Sequence, residues 1–129
     1  MFNTNNKLTI LAIGAHGDDI ELACGGSLAK AVNKGHEVVM VVITGVDSND
    51  HKNISIRGNG NAEKEAKAAA KVLGVTKLII LGYEDTLVPY SAELIAKLDD
   101  IMIKHEPDII FTHFVCTARC HRLNLATRP

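Results

Sequence analysis

Residues 8–19 read Leu8-Thr9-Ile10-Leu11-Ala12-Ile13-Gly14-Ala15-His16-Gly17-Asp18-Asp19. The run 8–13 is short, β-rich and uncharged, as a buried parallel strand should be. Residues 20–34 then place Leu22, Leu28, Ala31 and Val32 at mostly helical spacings, with Gly35 in position to end the helix. A strand that turns into a helix opens a β-α-β unit. His16, Asp18 and Asp19 then lie where the strand's C-terminal end meets the helix start. In open α/β sheets that edge is where ligands bind.

The rest of the chain extends the same alternation. Residues 37–44, 77–81 and 108–112 are further apolar strands, and residues 61–73 and 91–105 are helical. The second of these helices carries Leu94, Ile95, Leu98, Ile101 and Met102 on one face. Ser91 or Glu93 suits its positive end. The order β-α-β-α-β-α-β predicts a three-layer, Rossmann-like α/β domain over residues 1–129 with a parallel sheet. Residues 45–60 are polar and read as a long loop over the site. Gly25-Gly26 is costly in a helix, roughly 1 kcal/mol per glycine, and predicts close packing on the sheet or a bend. After the fourth strand little chain remains to form its covering layer, so the domain is expected to be truncated at its C-terminal side.

Composition narrows the function classes. With 14 Lys and Arg against 15 Asp and Glu, the net charge is −1, which offers no nucleic-acid footprint and no electrostatic membrane anchor. No apolar run approaches the roughly 20 residues of a spanning helix. The start, Met1 to Lys7, is polar and lacks the apolar core of a signal peptide. Three cysteines do not make a disulfide framework. A cytoplasmic, reducing compartment is the expectation, and a half-covered sheet would suit a homo-oligomer.

His16 and Asp19 are spaced i, i+3 and so lie together on a first helical turn. Imidazole nitrogen with carboxylate oxygen is an ordinary zinc ligand pair, and a catalytic zinc needs three protein ligands and an open position. Asp18 is adjacent to a ligand but points elsewhere, where a carboxylate can deprotonate a water that the metal has acidified. The same residues also fit a plain helix start, with one Asp as N-cap and the other as dipole partner. A dinucleotide site fits less well, since Gly14, Gly17, Gly25 and Gly26 do not make G-x-G-x-x-G and two carboxylates repel a pyrophosphate. Asp85, on the loop after the third strand, lies at the same sheet edge. It can orient a sugar hydroxyl or a ligand, or shape a turn. His113, Cys116, Cys120 and His121 could form a structural zinc site, but C-x₃-C-H is not a common finger.

Ala15-His16-Gly17-Asp18-Asp19 followed by Gly25-Gly26 resembles the A-H-P-D-D…G-G signature of the LmbE-like/PIG-L family of zinc-dependent N-acetylglucosaminyl deacetylases. Glu65 with the stretch Ala69 to Val75 resembles that family's alanine-rich helix. Leu81-Gly82-Tyr83-Glu84-Asp85 resembles its L-G-x-x-D loop. Pro107-Asp108-Ile109-Ile110-Phe111-Thr112-His113 resembles the strand before its second metal motif. The resemblance implies Zn²⁺ as cofactor and an N-acetylated amino sugar as substrate. It implies His16, Asp19 and His121 as metal ligands and Asp18 as general base; Asp85, by its place at the same sheet edge, is the candidate substrate-binding residue.

The chain departs from the pattern at the second motif. Cys116 and Cys120 stand where the family has Asp, and Ala118 stands where it has a His that serves the oxyanion or the leaving amine. General acid catalysis is typically worth about 10²–10⁴-fold. The sequence therefore carries a rival expectation: a catalytically impaired or inactive metal-binding fragment of the same family. Gly17 replaces the usual proline and loosens the turn.

Overall fold

Along β1 (Thr9–Gly14), alternate side chains leave the backbone on opposite sides. Ile10 and Ala12 enter one apolar layer, while Leu11 and Ile13 enter the other. A strand apolar on both faces is stable only inside a sheet covered on both sides. The computed structural model describes residues 6–45, 48–49, 52, 54–57 and 61–113, and it has that arrangement.

The elements after β1 are α1 (Gly17–Asn33), β2 (Glu37–Thr44), β3 (Ser48–Asn49), β4 (Ser55–Arg57), α2 (Asn61–Leu73), β5 (Lys77–Tyr83), α3 (Ala92–His105) and β6 (Ile109–Phe111). Four strands form one parallel sheet in the order β5-β2-β1-β6. Leu11 of β1 pairs with Val39 of β2 on one side and Ile110 of β6 on the other. The chain thus builds outward from β1 through β2 to β5, then returns to add β6 on β1's opposite side. The strand order reverses at β1. Such a switch point leaves a crevice at the strand's C-terminal end, here just beyond Gly14.

Helices α1 and α2 cover one face of the sheet. Ile20, Leu28 and Ala31 of α1 pack on Ile10, Ala12, Val38 and Met40, with Leu73 of α2 alongside. Helix α3 covers the other face through Ile101, Leu98 and Met102, against Leu11, Val39 and Val41. Leu11, Leu28 and Met40 are fully buried, each worth about 1.5–3 kcal/mol in transfer terms. The α/β expectation and its three layers are thereby met. Among the described residues, no helix is long and apolar enough to cross a membrane.

Several local expectations change. The stretch after β2 is not loop throughout, since β3 and β4 pair antiparallel as a separate two-stranded ribbon. Helix α1 begins at Gly17 rather than at residue 20, and its inward stripe is Ile20, Cys24, Leu28 and Ala31. Leu22 lies off that stripe and is 87% exposed. Gly25 is buried against α2, not the sheet; a Cβ there would meet Leu73 at an ordinary 3.7 Å, and one on Gly26 would meet nothing within 4 Å. Ser91 caps α3, its hydroxyl accepting from the Leu94 N–H at 3.2 Å. Ile95 of α3 is largely exposed. On the β6 edge, Ile110 and Phe111 also reach solvent among the described residues.

Candidate metal centre

The turn between β1 and α1 is constrained from three sides. A Cβ on Gly14 would lie 2.8 Å from both the His16 carbonyl oxygen and Ile20 Cγ1, so only glycine lets the chain fold back this tightly. Thr44, buried at the end of β2, grips the Ala15 carbonyl twice, through its backbone N–H at 3.0 Å and its hydroxyl at 2.8 Å. His16 is the N-cap of α1, and its backbone N–H donates to Asp19 Oδ2 at 2.9 Å. That bond is the returning half of a capping box, with Asp19 at N3. It moves the helix start upstream of the apolar periodicity, because the first turn is held by polar capping and not by core contacts.

These constraints bring the donors together. One nitrogen of His16 and one oxygen each of Asp18 and Asp19 lie within 4.8 Å of one another. His16 Nδ1 stands 3.6 Å from Asp19 Oδ2, too long for a hydrogen bond. On the other edge of the ring, His16 Nε2 lies 2.7 Å from Asp85 Oδ1. From the end of β6, His113 Nε2 accepts the Ala15 N–H at 3.1 Å and lies 3.2 Å from Asp19 Oδ2. A groove runs from this cluster between β1, β6 and α1, walled by Ala12, Ile20, Cys24 and Phe111.

Negative charge accumulates here. Burial alone would lower the His16 pKa, but the hydrogen bond to Asp85 and the charges of Asp85, Asp19 and Asp18 outweigh it, and the net shift is upward. Glu21, one turn along α1, is also pushed up, by burial first and then by the charges of Asp18 and Glu65. A site that stabilises an imidazolium and disfavours another carboxylate is one that suits a cation.

Sequence reasoning placed His16, Asp18 and Asp19 at one turn, and the structure gathers them. It adds Asp85, which meets His16 Nε2 and accepts the Thr86 N–H at 2.9 Å. The Thr86 contact shapes the turn, which is one of the roles expected of Asp85. His121 lies outside the described residues, as do Cys116, Ala118 and Cys120. His113 was considered only as part of a separate structural zinc site, yet it reaches Asp19. Its position right after the fourth parallel strand was the available sign, because parallel strands deliver all their C-terminal residues to one edge.

Comparison with known proteins places this arrangement in a family. The chain is 34% identical to the uncharacterized deacetylase YaiS of Escherichia coli (strain K12), over 96% of this chain and 66% of that protein. It is 29% identical to the diacetylchitobiose deacetylase of Thermococcus kodakarensis, over 82% of this chain and 40% of the relative. Among solved structures, N,N'-diacetylchitobiose deacetylase from Pyrococcus horikoshii, complexed with its inhibitor MPG, superposes with a TM-score of 0.69 at 33% identity, covering 81% of this chain and 40% of that one. The chain thus spans less than two thirds of the length of each of these relatives. The family model for PIG-L, GlcNAc-PI de-N-acetylase, matches residues 11–122, from the first buried strand through the His16–Asp19 turn and beyond, and the chain belongs to that family.

Proposed function

We propose that this chain carries the metal site and catalytic base of an N-deacetylase acting on a small N-acetylglucosamine-type sugar. The observation that carries the reading is the convergence of His16, Asp18 and Asp19 within 4.8 Å at the switch point of the sheet. The donor set fits zinc, which takes imidazole nitrogen and carboxylate oxygen. The 3.6 Å between His16 Nδ1 and Asp19 Oδ2 is near the roughly 3.3 Å expected between two donors of one tetrahedral zinc. His16 and Asp19 would hold the ion, with His121 as the third ligand by its place in the family motif.

Bound zinc would supply Lewis acidity, polarising the acetyl carbonyl and lowering the pKa of water toward roughly 7. Asp18 takes the proton of the attacking water and returns it to the departing amine, so the proton balance closes on this carboxylate. The capping bond keeps Asp19 aimed at the cluster. The apolar wall of Ala12, Ile20 and Phe111 gives an acetyl methyl a place away from water. The names of the diacetylchitobiose deacetylases support the substrate class.

A second reading is favoured by one sequence feature. Cys116, Ala118 and Cys120 replace acid–base residues of the second motif, which supports a metal-binding protein of the family without turnover. Zinc content and acetate release from an N-acetylglucosamine derivative separate the two, with Asp18→Ala as control. The deacetylase reading expects zinc uptake by both proteins and acetate release by the wild type alone. Zinc uptake without acetate release selects the second reading. No zinc uptake by the wild type rejects the metal site.

A further inference from the structure

We propose that Asp85 is a positioning residue, which accepts the Nε2–H of His16 and so presents the Nδ1 lone pair to the donor cluster. A neutral imidazole carries one N–H on two nitrogens, and its partners decide which nitrogen keeps the proton. An ionised carboxylate can only accept. Asp85 Oδ1 lies 2.7 Å from Nε2, a short charge-assisted geometry. The proton therefore belongs on Nε2, and the lone pair belongs on Nδ1. Nδ1 is the nitrogen that faces Asp19 Oδ2 across 3.6 Å.

The loop after β5 is shaped to hold that carboxylate. The Thr86 N–H donates to the same Oδ1 at 2.9 Å, and the Leu87 N–H closes a turn on the Glu84 carbonyl at 3.2 Å. Thr86 adopts φ +67°. A β-branched residue in the left-handed region is strained, and such strain persists where the surrounding structure requires it. The Asp85 side chain is 13% exposed, so little water competes for the bond. Ligating histidines commonly donate their second N–H to a carboxylate, which orients the ring and raises its basicity.

The purpose of this contact rests on the metal reading above, but its geometry does not, and the test separates the two. The full 129-residue chain is labelled with ¹⁵N-histidine, and His16→Gln identifies the His16 signals among the six histidines. Metal-free wild type, above the imidazole's titration, is expected to show His16 as the Nε2–H form. Asp85→Ala is expected to lose that preference. Zinc affinity by chelator competition should fall roughly 10–100-fold in Asp85→Ala. Asp85→Asn, whose amide oxygen still accepts, should stay within a few-fold of wild type. A metal-free wild type protonated on Nδ1 overturns the proposal, and so does an Asp85→Ala chain that binds zinc like wild type. If Asp85→Ala fails to fold, the wild-type spectrum and Asp85→Asn decide alone. A wild type that shows the Nε2–H form but takes up no zinc rejects the metal reading and leaves the tautomer assignment standing.

Discussion

The two ends of β1 are built from the same residue types and differ in what is left over. At the N-terminal end, the Leu8 N–H donates to His36 Nδ1 at 3.2 Å, and the Thr9 N–H donates to Asp108 Oδ2 at 2.8 Å. At the C-terminal end, the Ala15 N–H donates to His113 Nε2 at 3.1 Å, and the His16 N–H to Asp19 Oδ2 at 2.9 Å. Each end therefore closes two consecutive backbone donors with one histidine and one aspartate. The Leu8 and His16 bonds are half-buried, where an N–H needs such a partner, and the Thr9 and Ala15 bonds close the strand ends at the surface. The C-terminal end then adds the His16 ring, Asp18 and Asp85 beyond that need. Structural demand accounts for the first set at both ends, and only the surplus at one end requires a functional account.

The largest expected effect compares the two matching carboxylates, Asp19 beside the surplus groups and Asp108 at the end without them. Asp19→Ala and Asp108→Ala each remove one carboxylate from one backbone N–H. Both should lose about 1 kcal/mol of stability in denaturant titration. Only Asp19→Ala should lose zinc, by more than the roughly 100-fold upper range for an outer-shell contact. Equal zinc affinities for the two variants would erase the distinction between the ends.

A second expectation concerns Gly17, the first residue of α1. Its neighbours leave room for a side chain, with Glu21 Oε1 3.7 Å and Ala66 Cβ 3.8 Å from an added Cβ. His16 before it has φ −119° and ψ 166°, close to the extended backbone a following proline demands. Proline is favoured at N1 and restricts the unfolded chain. Gly17→Pro should raise stability by roughly 0.4–1 kcal/mol with zinc affinity unchanged. A destabilised variant would show that the turn needs the freedom of glycine.

The smallest effect is a pH dependence of the metal-free chain. In the fold, His16 titrates above its ordinary value of 6.5; burial opposes this, and Asp85, Asp19 and Asp18 prevail. The folded state thus binds the proton more tightly than the unfolded state. The stabilisation is complete below about pH 6.5 and is lost as pH rises through the raised folded-state value. The ring is half-exposed, so the effect is modest. Melting temperatures from about pH 5.5 to 8.5 should fall more steeply for wild type than for His16→Gln. Parallel curves would mean that the carboxylates do not act on the ring.

Much of the fold was legible because apolar periodicity directly reports burial. The strands read at 8–13, 37–44 and 77–81 and the helix read at 61–73 recur as β1, β2, β5 and α2, with β1 shifted by one residue and β5 two residues longer. Where periodicity was silent, the reading slipped. The first turn of α1 is capped by polar groups, so the helix began three residues before its apolar stripe. Leu22 fits a helical spacing yet faces solvent, because spacing gives a face but not which face the sheet will cover. The β3–β4 ribbon is two and three residues long, too short for any pattern to form.

By itself, the sequence determined the alternation of strands and helices and the clustering of His16, Asp18 and Asp19 at one turn, since both are local: an apolar period and an i, i+3 spacing. Only the tertiary structure decided that β1 lies between β2 and β6. Strand order depends on contacts between residues roughly a hundred positions apart, such as Ala12 with Phe111, and no local pattern encodes them. That order is what carries Asp85 and His113 to the same turn, where one meets the His16 ring and the other meets Asp19.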